Sequence, residues 1–223
     1  MGIIQRNTEK KDALTIHFNL AKSKELLLIF TRNPVLGKCK TRLAAKVGDQ
    51  TALDIYKHLL KHTAAITKDL DVHKHVYYSE EISEDDSWDN LIFDKRLQKG
   101  TDLGERMANA FSEGFENGFE KIIIIGSDMY DLDSTDLEKA FNALNENDFV
   151  IGPALDGGYY LLGMKAYTDT IFKNKVWGKD KVFEDTMDDL KDRKVFHLET
   201  KNDIDLYEDV LPIKAFQTYL KDI

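Results

Sequence analysis

The chain has 223 residues, 42% of them apolar, and 31 basic against 40 acidic side chains give a net charge of −9. At roughly 100–200 residues per domain this is one large domain or a domain with a decoration, and it buries enough surface to fold without disulfides or a structural metal. The composition excludes a disordered chain, a collagen and a coiled coil; the acidic balance removes the overall basic footprint of a duplex nucleic-acid binder, though a local basic patch stays open.

Residues 1–24 are polar and lysine-rich and read as an N-terminal extension, in which the alternating LTIHF stretch suggests one added strand. Residues 25–223 read as a single domain. Leu26–Thr31 is a short continuous apolar run, the pattern of a strand buried on both faces. From Asp49 to about Asp69 the spacing becomes helical, with Leu53, Tyr56, Leu59, Leu60 and Ile66 on one side. His75–Ser79 predicts a second strand, Glu80 to Asp89 a solvated acidic loop, and Phe93–Leu97 a short third strand. Asp102 opens a helix to about Asn117, with Glu105 as its capping partner. Ile122–Ile125 is another buried strand, and Thr135 with Glu138 is expected to cap a helix to about Asn145. Phe149–Gly152 and Tyr159–Met164 are strands on either side of a Gly-Gly turn. A helix over Asp180–Asp192, a strand at Val195–Leu198 and a closing helix from Ile204 to Leu220 complete the chain. Strands alternating with helices imply parallel βαβ units in a three-layer α/β domain.

Cys39 is the only cysteine, which rules out an internal disulfide and a cysteine zinc cluster. The longest apolar runs, Leu26–Phe30 and Ile122–Ile125, fall far below the roughly 20 residues of a membrane span. The first residues, MGIIQRNTEKKD, lack a secretory apolar region, and Arg6 stands where a myristoylation signal has Ser or Thr. A cytoplasmic protein is expected.

Ligands of open parallel sheets sit beyond the carboxyl ends of the strands, so chemistry is sought just after each strand. After the first comes TRNPVLGKCKTRL, in which Lys38, Lys40 and Arg42 set three cations within five residues. Arg offers a planar fork and Lys a point charge, both suited to phosphate oxygens; a solvated basic turn is the plain alternative. A P-loop is excluded, because the upstream glycine and the contiguous Gly-Lys-Ser/Thr are missing. After Ile122–Ile125 comes Gly126-Ser127-Asp128, where Asp128 could hold Mg²⁺ or Mn²⁺ or merely cap a turn. Asp131 and Asp133 precede a helix and suit its positive end. Asp156-Gly157-Gly158 is either a plain hairpin turn or a substrate-facing one. Gly100 and Gly104 flank a helix start that could favour an anionic ligand or be simply capped. Asp203 and Asp205 could cap the last helix or add a second carboxylate to a metal on Asp128. His58 and His62 stand four apart, a spacing zinc can use, but without HExxH and between lysines they read as a solvated helix face. No Gly-x-Ser-x-Gly elbow is present.

Taken together, FTRNPVLGKCKTRL, GTDLGERM, IIGSDMYDLD, IGPALDGGYYLLG, VWGKDKVFEDT and NDIDLYEDV resemble, in that order, the motifs of a glycosyltransferase-like family of GT-A type within the nucleotide-diphospho-sugar transferase superfamily. Its relatives include the molybdenum-cofactor and 2-phospholactate guanylyltransferases. The resemblance spans roughly residues 25–212 and implies a three-layer Rossmann-like fold with a mostly parallel central sheet. It implies that Lys38, Lys40 and Arg42, with Arg32 and Gly37, form a nucleotide phosphate loop, and that Asp102, Leu103 and Gly104 lie near the nucleoside. It further implies that Asp128 binds the metal beside Ser127, that Asp205, or else Asp203, is a second metal ligand, and that Asp156, Gly157 and Gly158 face the acceptor or sugar. The chain departs from the pattern in four places: Leu36 and Tyr130 replace usual prolines, the proline soon after Thr41-Arg42-Leu43 is missing, and Gly178-Lys179 follows Trp177 in place of Ser or Thr.

The expected function is a Mg²⁺- or Mn²⁺-dependent glycosyltransferase that uses a nucleotide-diphospho-sugar donor. Asp128, Lys40 and Arg42 would be its catalytic residues, acting by charge on the phosphates rather than as nucleophiles. The alternatives are a nucleotidyltransferase that joins a nucleoside triphosphate to a phosphorylated acceptor, and a nucleotide-binding module without turnover. The partners expected are a nucleotide or nucleotide sugar and an acceptor, with no nucleic acid and no membrane span.

Overall fold

The computed structural model describes residues 23–221. The extension expected over residues 1–24, with the strand expected of LTIHF, therefore lies almost wholly outside the described residues.

Seven strands form one sheet: β1 (Glu25–Thr31), β2 (His73–Tyr78), β3 (Asp94–Leu97), β4 (Lys121–Gly126), β5 (Phe149–Pro153), β6 (Tyr159–Met164) and β7 (Val195–His197). They lie in the order β3-β2-β1-β4-β6-β5-β7, and only β6 runs antiparallel to its neighbours. The helices are α1 (Thr41–Val47), α2 (Asp49–Thr67), α3 (Leu103–Glu116), α4 (Ser134–Ala143), α5 (Val182–Asp189) and the single turn α6 (Tyr207–Val210). The predicted three-layer α/β class with a mostly parallel sheet is the observed one.

The layers follow from the two-residue period of the strands. In β1, Leu27 and Ile29 point to one face and Leu26 and Leu28 to the other, and all four are fully buried. On the first face Ile123, Ile125, Val150 and Leu161 continue the layer and meet Leu43 of α1, Ile55 and Leu59 of α2, and Leu137 and Phe141 of α4. On the second, Ile122, Ile124, Phe149, Ile151 and Leu162 meet Met107 and Phe111 of α3.

Four expectations are corrected. The closing helix over Ile204–Leu220 is only α6 and a 3₁₀ turn at Lys214–Phe216, because Pro212 lacks the N–H a continuing helix needs. Helix α1 was absent from the sequence reading; it begins inside the stretch read as the basic loop. The acidic Glu80–Asp89 segment is not simply solvated: Trp88 is only 2% exposed, and Asp86 accepts from Tyr78 and, at 3.0 Å, from Lys95. The cap of α4 is Asp133, not Thr135. The Asp133 carboxylate accepts from Asp136 N at 2.9 Å while Asp136 accepts from Asp133 N at 3.3 Å, a reciprocal capping box.

That assignment separates two variants. Asp133→Ala is expected to lose about 1 kcal/mol, while Thr135→Ala, at an exposed position, stays within about 0.5 kcal/mol; urea unfolding of both proteins measures the difference.

Candidate functional site

The carboxyl edge of the parallel strands is where β1 and β4 release their chains. The turn after β1 is tied in place by hydrogen bonds. The Tyr56 hydroxyl, from α2, donates to Arg32 O at 3.1 Å and accepts from Arg32 N at 3.0 Å. Asn33 accepts from Glu80 N at 3.0 Å and donates to Glu81 O at 2.7 Å, which joins the turns after β1 and β2. Cys39 is buried and its thiol donates to Asn33 O, a packing role rather than a reactive one.

Lys40 ends this turn in the left-handed region, at φ 47 and ψ 47, as the residue before α1. That conformation sends its side chain inward, where only 7% of it is exposed and Nζ lies 2.8 Å from Asp128 Oδ2. Arg42, largely exposed, places Nη1 2.9 Å from Asp205 Oδ2, and Lys40 Nζ is 3.9 Å from Asp205 Oδ1. Lys38 turns the other way and pairs with Glu80 at 3.7 Å. The three neighbouring cations thus diverge onto three acids, and Lys40 and Arg42 alone share a site. Arg32 is exposed beside it and adds positive potential at Asp128, while Gly37 forms the outer bend at φ 73.

Asp205 and Asp203 reach Asp128 because Ile204 N donates to Asp128 O at 3.2 Å, and Ala154 bridges to Lys201 alongside. Neither caps α6; Asp209 does so by accepting from Asp205 N and Leu206 N at 3.0 and 2.6 Å. Electrostatics divides the carboxylates. Burial alone would raise Asp128, but the Lys40 ammonium against it and Arg32 nearby hold it below the usual carboxylate range. Burial works equally against the Lys40 charge, and Asp128, with Asp203 and Asp205 behind it, outweighs that and lifts Lys40 above the usual lysine value. Asp203 is pushed up to about 6 by burial and by its neighbours Asp128, Asp156 and Asp205, against the opposing pull of Lys40.

A cavity of about 220 Å³ opens beside these carboxylates, lined among others by Phe30, Leu103, Asp128, Asp156, Trp177 and Asp203. Asp128, with 37% of its side chain exposed, looks into it. Asp156 accepts from Gly158 N at 2.9 Å and turns the β5–β6 hairpin along its rim. Gly157 sits at φ +87 with Asp180 O where a Cβ would be, so a side chain has neither the conformation nor the room. Asp102 accepts from Glu105 N at 2.9 Å and caps α3, while Glu105 reaches back to Thr101 rather than to Asp102. The next residue, Leu103, lines the cavity, and Gly104 lies directly beneath the Trp177 indole.

The structure therefore brings Lys40, Arg42, Asp128, Asp203 and Asp205 together, with Leu103, Asp156 and Gly158 along the cavity. It leaves Lys38 and Asp102 outside as an ion pair and a cap. Ser127 is only 3% exposed, its hydroxyl donating to Thr31 Oγ1 at 3.1 Å near Tyr56, so it braces the edge instead of facing a ligand. The sequence reading did not place Tyr56, Tyr159 or Trp177 at the site. His58 and His62 are half-buried rather than freely solvated: His58 contacts Tyr219 OH at 3.2 Å, His62 contacts Leu132 O at 3.1 Å, and both rings lie tilted against Tyr130.

A carboxyl raised in the folded state opposes folding once it is ionised. Asp203 binds its proton in the native protein up to pH about 6, whereas the unfolded chain releases it near pH 4, so the penalty is absent below pH 4 and complete above pH about 6. Asp203→Asn is accordingly expected to stabilise the protein at pH 8 by roughly 1–3 kcal/mol and by nothing at pH 3.5, as read by denaturant unfolding at the two pH values.

No curated protein matches this chain. Among solved structures, a "putative nucleotide-diphospho-sugar transferase" from Desulfovibrio desulfuricans G20 is 28% identical with a TM-score of 0.80, over 90% of this chain and 95% of that one. The 4-diphosphocytidyl-2C-methyl-D-erythritol synthase of Anaerococcus prevotii DSM 20548 is 10% identical with a TM-score of 0.56, over 90% and 99%. A cytidylyltransferase from Leptospira borgpetersenii is 15% identical with a TM-score of 0.53, over 90% and 94%. At such low identity the last two speak for the fold alone. The fold is nucleotide-diphospho-sugar transferase-like, as the motif resemblance implied. Residues 62–179, just over half of the chain, match the family described as uncharacterized protein conserved in bacteria, DUF2064, and the protein belongs to that family.

Proposed function

We propose that the protein is a divalent-metal-dependent transferase that moves a sugar from a nucleoside-diphosphate sugar to an acceptor. The observation that carries this reading is the buried Lys40 ammonium 2.8 Å from Asp128 at the open edge of β4, with the Arg42–Asp205 pair beside it. Cations and carboxylates held together at a sheet's carboxyl edge suit a ligand that brings phosphates and a metal as one unit.

Among the described residues no three His, Cys, Asp or Glu side chains converge into a ready-made metal cage. That fits Mg²⁺ or Mn²⁺ only in the manner in which Mg²⁺ is commonly held: by one or two carboxylates, with phosphate oxygens and waters completing the shell. Asp128, with Asp203 or Asp205, would supply those carboxylates, and the ion when bound would offset phosphate charge. Lys40 and Arg42 would transfer their hydrogen bonds from carboxylate to phosphate oxygens and stabilise charge on the leaving diphosphate. Leu103 and Trp177 would shield the reacting bond from water. No protein nucleophile is needed.

Nucleotidyl transfer is the second reading. It is favoured by the fold shared with cytidylyltransferases. Turnover separates both from a binding module, which releases its nucleotide unchanged.

Thermal unfolding with nucleoside triphosphates and nucleotide sugars, with and without Mg²⁺ or Mn²⁺, tests the reading. A ligand at 100 times its Kd adds about 2.7 kcal/mol, several degrees for a domain of this size at roughly 2–4 °C per kcal/mol. Asp128→Ala is expected to abolish the metal-dependent part of the shift; unchanged affinity in that variant would remove Asp128 from the site. Lys40→Ala is expected to lower kcat by about 10²–10³, the usual range for loss of one charge-stabilising donor.

A further inference from the structure

The 220 Å³ cavity has a lining of two kinds. The apolar lining includes Phe30, Leu103, Met107 and Trp177. The charged lining residues are Asp128, Asp156, Asp203 and Lys179. Its volume lies below the roughly 300–1,000 Å³ of sites for drug-sized ligands, which leaves space for about one ring.

Three features define that ring. Ionised carboxylates only accept hydrogen bonds, so Asp156 and Asp203 call for a ligand rich in donors, while Lys179 calls for an acceptor; hydroxyl groups serve as both. Asp128, Asp156 and Asp203 line the same small cavity, and their negative charges repel a further anion. Tyr159 lines the cavity, and its hydroxyl is buried without a hydrogen-bond partner.

The apolar lining is held ready. Gly104 leaves room for the Trp177 indole to pack directly against the first turn of α3. The chain after Trp177 is fixed by Phe183 N donating to Gly157 O at 2.9 Å, and Lys175, almost fully buried, pairs with Asp189 at 2.6 Å. An indole held this way offers a rigid apolar face at little entropic cost.

We infer that this cavity binds an uncharged, hydroxyl-rich ring of hexose type, laid on the Trp177 indole with its hydroxyls toward Asp156, Asp203 and Lys179. Trp177 is then a specificity-determining residue, and the site rejects sugar acids and phosphorylated rings. The inference rests on the transfer proposed above and names the group transferred.

The chain has two tryptophans, and Trp88 is buried on the opposite face of the sheet. Trp88→Phe therefore leaves Trp177 as the only indole reporter; should that variant fail to fold, the difference between wild type and Trp177→Phe reports the same signal. The probes are UDP, UDP-glucose and UDP-glucuronate with Mg²⁺, together with the guanosine, cytidine and thymidine counterparts. The expected result is that the glucose conjugate perturbs Trp177 emission and the bare diphosphate does not. The uronate should bind at least about tenfold more weakly than the glucoside, and Trp177→Ala should cost the glucoside about tenfold while changing the diphosphate less than twofold. Equal binding of the uronate, or an equal loss for the bare diphosphate, overturns the inference, the second result giving the cavity to the base. If no nucleotide binds, the transfer reading fails by itself. Methyl glucoside and tetramethylammonium at high concentration then decide the cavity: a Trp177 response to the glucoside alone upholds a neutral ring, and a response to the ammonium or to neither overturns it.

Discussion

A lysine ammonium held 2.8 Å from an aspartate, away from bulk water, sets the geometry of the carboxyl edge of this sheet. An isolated buried charge would be prohibitive, and a buried pair is tolerable only when well placed. Around Lys40 the placement comes from three directions. The left-handed backbone at Lys40 aims the side chain inward, β4 delivers Asp128, and the hydrogen bond from Ile204 N to Asp128 O brings Asp205 and Asp203 close. Removing one member of such a pair leaves an uncompensated charge, typically a loss of about 3–5 kcal/mol. The contact is therefore both a fastening of the edge and a reserve of charge for a ligand.

The reserve is unevenly shared. Lys40 and Arg42 keep Asp128 and Asp205 paired, while Asp203 meets mainly other carboxylates and keeps its proton to pH about 6. A ligand that carries positive charge to this edge together with phosphates would relieve both imbalances at once: Asp203 gains a partner, and the two cations exchange carboxylates for phosphates. The same acidity that welcomes a metal on one side makes the adjoining cavity a poor host for an anion.

Most of the fold was legible because the central strands are almost fully buried, unlike the partly exposed β3 and β7. Runs such as Leu26–Thr31 and Ile122–Ile125 have no other stable use in a chain this size. Legibility failed where a short element is decided by tertiary contacts. Helix α1 is a two-turn element begun by a left-handed lysine, which no period announces, and the end of the chain has helical spacing that Pro212 interrupts. At the site, Asp128 and Lys40 were visible as strand-end chemistry, but their contact joins residues 88 apart. Asp203 and Asp205 were named as alternatives for one role; the structure gives them different partners. Trp177 was seen in a motif and left out of the site, since its place over Gly104 depends on a contact between remote segments. Tyr159 escaped for a topological reason. Because β6 runs against its neighbours, its first residue, not its last, lies at the edge where the parallel strands end.

That reversed strand also bears on how the site comes into being. Among the described residues the β5–β6 hairpin is the only pairing of sequence-adjacent strands besides β1–β2 and β2–β3; β4 reaches β6 past β5, and β5 takes β7 on its far side. Loop-closure entropy must be spent before such distant pairings return anything. The carboxylates at 203 and 205 follow β7 in the chain and are held at the edge by the hydrogen bond from Ile204 N to Asp128 O and the Ala154–Lys201 bridge. During vectorial synthesis Lys40 and Asp128 are thus available before Asp203 and Asp205, and the charged edge is complete only once the segment after β7 has joined, bringing Ile204, Val210 and Phe216 into the core with it.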